Sequence, residues 1–222
     1  MTSTEAFHLF GSTLQERYKA LGFKYRKSDK VLLRRSGDFE YLVIMYSTRG
    51  NKEGVEVSLH VDLAIKCWRP VPDTDRTVGQ LFYVRLLTDE HVVYNIATEA
   101  LLAQAIADLV PRIDTLLVPF IAQLEDDPQA HADTWVREGC FGGRKGYGFV
   151  TNLLFMSTCF GRQQAQDTLH HFIHSLAPAV RENMVDVLAG RKPESELVRP
   201  SSDAIRKVCS DALLLGLQAP GA

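Results

Sequence analysis

Four groups of residues have types and spacings that could do chemistry. The first is 137-REGCFGGRKGYGF-149, where five of thirteen residues are glycine and Arg144 stands beside Lys145. Gly142, Gly143 and Gly146 can turn backbone N–H groups toward an anion. Arg144 and Lys145 add charge, and a helix starting near Tyr147 adds its N-terminal donors. The spacing is neither G-x-x-x-x-G-K-[ST] nor G-x-G-x-x-G after a strand. The expected role is a joint between two helices, with anion or nucleotide binding at 142–146 as the alternative. The second group is 167-DTLHHFIH-174. On a helix, Ala165, Leu169, Phe172, Ile173 and Leu176 share one face, and Asp167, His170, His171 and His174 fall opposite. His170 and His174 lie one turn apart and could share a metal. A zinc enzyme usually adds a third ligand and a base, as in H-E-x-x-H, and no Glu stands between these histidines. The expectation is a solvent-facing polar stripe with no metal. A metal-dependent hydrolase on His170 and His174, or a pH-sensitive interface, is the alternative.

The third group is the basic segment Lys24, Arg26, Lys27, Lys30, Arg34 and Arg35. Lys24 and Arg26 alternate with Phe23 and Tyr25, so one strand face is basic and could track phosphates. The chain as a whole carries net charge −2 and has a pI near 6.4. No nucleic-acid signature is present, so nucleic acid is not the expected partner. The fourth group is Cys140, with Arg144 and Lys145 near enough in sequence to lower a thiol pKa, together with His60 and Asp62 on one strand face. No nucleophile motif accompanies them. The expectation is a protein that is not an enzyme and needs no cofactor.

These residues must be positioned by an α+β chain. Thr2 and Glu5 have capping-box spacing, and Phe7, Phe10, Leu14, Tyr18 and Leu21 follow at helical intervals. Gly22 can close that helix in the left-handed region, with Phe23 folding back. Strands are expected over FKYR, KVLLRR, FEYLVIMYS, VEVSLHVDLAI, LFYVRLL and HVVYNI. In the fourth of these, Val55, Val57, Leu59, Val61, Leu63 and Ile65 face one way, and Glu56, Ser58, His60, Asp62 and Ala64 face the other. The connections are short, so an antiparallel meander is expected. Residues 97–126 have helical spacing, with Pro111 splitting them and Pro119 kinking the second half. Further helices are expected at 130–138, 147–160, 162–176, 178–190 and 201–217. The expected organisation is an α+β domain over 1–127 and an all-helical C-terminal part over 128–222, packed on the sheet.

No apolar run approaches the roughly 20 residues of a membrane helix, so no membrane association is expected. The opening MTSTEAFHLF lacks a basic region and an apolar core of signal type. Cys67, Cys140, Cys159 and Cys209 are dispersed, which fits a reducing, cytoplasmic setting. Charge is unevenly spread. Residues 1–70 hold twelve Lys/Arg and eight Asp/Glu, residues 71–136 three and eleven, and residues 137–222 ten and eight, giving +4, −8 and +2.

The wording 18-YKALGFKYRKSDKVLLRR-35, followed by 41-YLVIMYSTRG-50 and 55-VEVSLHVDLAI-65, resembles the bacterial family called domain of unknown function 4304. The resemblance covers roughly residues 4–125. It implies the helix-then-sheet fold and carries no catalytic residues; residues 129–222 lie outside it.

The expected function is a non-enzymatic protein-binding module of immunity type that neutralises a basic, toxin-like partner by occlusion. Its contact surface would be acidic, with Asp73, Asp75, Asp89, Glu90, Glu125, Asp126 and Asp127 as candidates. Composition leaves the oligomeric state open.

Overall fold

The computed structural model describes residues 1–47, 50–69, 81–82, 93–127, 129–130, 153–197 and 203–221. It divides into two compact units, one of Met1–Trp68 and Gly79–Leu124, the other of Arg69–Val78 and Glu125–Ala222. Helix α1 spans Ser3–Tyr18. Its capping box forms: Glu5 N–H donates to Thr2 Oγ1 at 3.3 Å, and Thr2 N–H donates to Glu5 Oε2 at 2.8 Å. A short 3-10 turn, Lys19–Leu21, leads to Gly22 at φ +82. Phe23 N–H then reaches back to Tyr18 O at 3.3 Å, and its ring meets Tyr18 edge-on at 6.1 Å. The chain therefore turns where the sequence places the turn, and buries Phe23 in doing so.

The sheet is antiparallel throughout. Strands β1 (Lys24–Arg26), β2 (Val31–Ser36), β3 (Phe39–Tyr46) and β4 (Ser58–Cys67) form a meander in that order. β5 (Leu81–Phe82) and β6 (Val93–Asn95) both pair with β4, β5 at Ile65 and Lys66, β6 from Ser58 to His60. Gly37, at φ +53, opens the two-residue loop that pairs Ser36 with Phe39. Strand parity sorts the side chains. Tyr25, Leu32, Tyr41, Val43, Met45, Leu59, Val61, Leu63 and Ile65 occupy one face. Tyr25 OH donates to Phe7 O of α1 at 3.2 Å, so α1 covers that face. Gly11 makes this approach possible, because a Cβ there would lie 2.7 Å from Tyr25 Cδ2 and closer still to Cε2 and Cζ.

Helix α2 (Glu99–Arg112) lies on the same face, since Tyr94, paired with Leu59, donates to Asp108 Oδ2 at 2.6 Å. Pro111 does not split the helix. It stays inside α2, and the run widens into a π-helical stretch, Ile113–Leu117, before α3 (Val118–Asp126). Val118 N–H bonds Ile113 O, five residues back. The helical run thus continues through Pro111, and the wider π register begins two residues after it. α1 is tied to this stretch by Arg17 and Tyr18, which donate to Asp114 at 3.0 and 2.9 Å.

Val55 is the clear departure from the expected strand. It is 68% exposed and lies in a tight loop. Lys52 and Glu56 pair across that loop, with Gly54 at φ +69. The loop backbone forms its own hydrogen bonds there, so the period-2 pattern has no partner strand to follow.

In the second unit, α4 (Leu153–Phe160), α5 (Arg162–Ser175), α6 (Pro178–Leu188) and α7 (Asp203–Leu214) are helical. They match four of the five expected helices; most of 130–138 lies outside the described residues. Leu153 to Met156 are all buried, so α4 is apolar on every side. α7 ends with Gly216 at φ +61, Gly216 N–H bonding Leu213 O and Leu217 N–H bonding Ala212 O. This is the paired hydrogen-bond pattern of a Schellman cap. Arg162 clamps the same end, donating to Leu215 O and Gly216 O, each at 2.6 Å. Among the described residues no helix is long and apolar enough to cross a membrane.

Candidate functional site

Of the acidic candidates, Asp73, Asp75, Asp89 and Glu90 lie outside the described residues. Glu125, Asp126 and Asp127 sit at and just past the C-terminal end of α3, all three exposed. Carboxylates there sit at the negative end of the helix dipole, a position that costs stability. Asp127 has a local use as well: its Oδ1 accepts from Ala130 N–H at 3.1 Å. Two other carboxylates of the acidic segment are used internally. Asp108 pairs with Arg112 at 3.2 Å besides accepting from Tyr94, and Asp114 holds Arg17 and Tyr18. Burial, and then the carboxylate beside each, pushes the Tyr18 and Tyr94 phenols well above their ordinary range.

The glycine-rich candidates Gly142, Gly143, Arg144, Lys145 and Gly146 lie outside the described residues, as does Cys140. His170 and His174 are on α5, one turn apart as expected, and His171 and His174 are exposed. His170 differs. It is half-buried, and its Nε2 lies 2.8 Å from Gln166 Nε2. Gln166 is itself fixed by Gln218, donating to Gln218 O at 2.7 Å and accepting from Gln218 N–H at 3.0 Å. The amide therefore presents its second N–H to His170, whose Nε2 accepts. The polar side of α5 is thus partly a structural strap, with Arg162, Gln166 and His170 at successive turns. Among the described residues no group of three His, Cys, Asp or Glu is placed to hold a metal.

The basic segment is divided rather than continuous. Arg34 lies over Tyr41 at 5.9 Å on the helix-covered face, while Arg26 pairs with Asp29 at 2.7 Å and Arg35 with Glu40 at 2.9 Å. Lys30 Nζ sits 4.3 Å above the Phe7 ring. His60 and Asp62 share a face of β4 as expected. The His60 ring stacks on Tyr46 at 5.1 Å, with 14° between the planes. Ser58, in the same line, donates its hydroxyl to Asn51 Oδ1 at 3.1 Å. Asn51 also donates to Ser3 and Ser47, at 3.0 and 2.7 Å. The hydroxyl nearest His60 on β4 is therefore part of a network joining α1, β3 and β4.

Sequence reasoning passed over Trp68. Its backbone N–H donates to Asp38 O at 2.8 Å, which extends the β3–β4 ladder and sets the indole at the end of the sheet. Trp68 is 46% exposed, with Arg35 Cζ 5.7 Å and Lys66 Nζ 5.9 Å from its ring centroid. The available signal was its phase: two residues beyond Lys66 on β4, it continues the polar face. Cys209 is buried, and burial followed by the nearby Glu194 pushes its thiol up to about 11. Comparison with protein families, curated proteins and solved structures found no match to this chain.

Proposed function

We propose that the chain is a non-enzymatic protein-binding module of immunity type, which neutralises a basic, toxin-like partner by occlusion through an acidic surface. The observation that carries this reading is the segregation of charge: −8 within residues 71–136, against +4 before and +2 after. Asp126 adds a physical reason, since an exposed carboxylate at a helix C-terminus is relieved when a cationic surface approaches. Occlusion asks for complementary potential and shape, and needs no reacting group. The resemblance of residues 4–125 to the bacterial domain of unknown function 4304 family fits a cytoplasmic helix-and-sheet module of this kind. The test is co-expression with the product of the adjacent reading frame, followed by size-exclusion chromatography and titration. A stoichiometric complex that loosens steeply with salt supports the reading. Absence of a complex at low salt would count against it.

A further inference from the structure

We propose that Trp68, Arg35 and Lys66 form a subsite for a nucleoside phosphate, a role beyond the protein-binding one. The geometry suits a ligand with an aromatic plane and a negative charge. Arg35, Glu40 and Lys66 stand in register across β2, β3 and β4. Arg35 is held by Glu40, whose side chain is only 13% exposed, so its guanidinium is anchored beside the ring. Asp38, at the same end of the sheet, is also engaged. Lys66 makes no ion pair among the described residues, and its ammonium rests near the indole.

This leaves one cation outside any described ion pair beside a tryptophan that is 46% exposed. A base stacked on a tryptophan is held more strongly than an exposed ammonium above the same ring. Stacking therefore displaces Lys66 from the indole. The ammonium, on a flexible stem, then meets the ligand's phosphate as a point charge. Arg35 remains on Glu40 and borders the ring. The predicted division of labour is that Trp68 supplies the platform, Lys66 the charge and Arg35 the fixed wall.

The probe is AMP, with adenosine and inorganic phosphate as single-component arms. A 5′-phosphorylated thymidine hexamer distinguishes a strand end from a free nucleotide. Binding is read by equilibrium dialysis of the intact chain and by tryptophan fluorescence in a Trp135→Phe background. The expected result is saturable AMP binding with quenching of Trp68, about tenfold weaker for adenosine or phosphate alone. Lys66→Ala weakens AMP about fivefold, and Trp68→Ala abolishes measurable binding. A hexamer that binds more tightly than AMP assigns the site to strand ends; equal or weaker binding assigns it to free nucleotides. Circular dichroism confirms that each variant is folded, and Lys66→Glu serves if Trp68→Ala is not. Linear, unsaturable quenching, or equal AMP retention by the wild type and the Lys66 and Trp68 variants, overturns the proposal.

Discussion

Replacing Gly11 with alanine sets helix propensity against packing, and the structure decides which wins. In an exposed helix interior the change would stabilise by about 1 kcal/mol. Here Gly11 is buried beneath Tyr25, and a Cβ would come 2.7 Å from Cδ2 and nearer to two further ring atoms. The ring has little freedom to move away. Its hydroxyl is bonded to Phe7 O at 3.2 Å, and the Tyr25 N–H to Gln15 Oε1 at 2.6 Å. Overpacking costs about 1–3 kcal/mol and a lost hydrogen bond about 1 kcal/mol. After the propensity gain, the net loss is about 1–3 kcal/mol, which lowers the thermal midpoint by roughly 2–10 °C for a chain of this size. Calorimetry and urea titration of Gly11→Ala, Tyr25→Ala and the double variant give the full cycle. With the ring removed, Gly11→Ala should become stabilising by about 1 kcal/mol. A stabilising effect in the intact chain, or an unchanged cost in the Tyr25→Ala background, would refute the packing argument.

Four further outcomes follow from named contacts. Arg162→Ala removes two charge-assisted bonds from the end of α7 and should cost about 2 kcal/mol, with hydrogen exchange quickening at Leu217 and neighbouring amides. Gly216→Ala should act at the same place, because φ is +61 and a Cβ would sit 3.3 Å from Arg162 Nη2. Hydrogen bonding to Thr2 holds the Glu5 carboxyl below its ordinary value of 4.5. Its contribution to α1 is therefore present above that pH and is lost as pH falls through the lowered value; amide exchange at residues 3–6 should rise in acid and be less pH-dependent in Glu5→Gln, which has no carboxyl to titrate. The Cys209 thiol, pushed up to about 11 from 9.0, should resist alkylation at pH 8 and lower stability as pH rises from about 9 toward 11. Rapid labelling of Cys209 in the folded chain would contradict its burial.

Much of the fold was legible because its signals are local. Thr2 and Glu5 meet through spacing alone, Gly22 closes α1 because few other residues accept its φ, β3 is a β-rich run apolar on both faces, and most of β4 follows side-chain alternation. The failures occur where hydrogen bonding overrides pattern. Val55 has the right phase for a strand, but Lys52 and Glu56 bond each other and leave it in a loop. Pro111 carries a helix-breaking residue type, yet α2 runs through it and on into the π-helical stretch. His170 reads as a solvent-facing histidine, yet Gln166, one turn before it and itself tied to Gln218, gives it a partner. The candidate surface was less legible than the fold. Complementary charge leaves no fixed spacing, and Asp108 and Asp114 resemble Glu125 and Asp126 in sequence while serving internal contacts. Trp68 became visible as a candidate only once register placed Arg35 and Lys66 beside it.

The central claim is that an acidic surface engages a basic protein. Its most direct test is the salt dependence of the dissociation constant for the complex with the adjacent-frame product, comparing the wild type with a chain carrying Asp73, Asp75, Asp89, Glu90, Glu125 and Asp126 changed to lysine. Asp127 is left intact because of its bond to Ala130. The account predicts that reversal weakens binding at low salt by at least about tenfold, mainly through a slower association rate, and flattens the salt dependence. Unchanged affinity and an unchanged salt slope in a folded variant would contradict it.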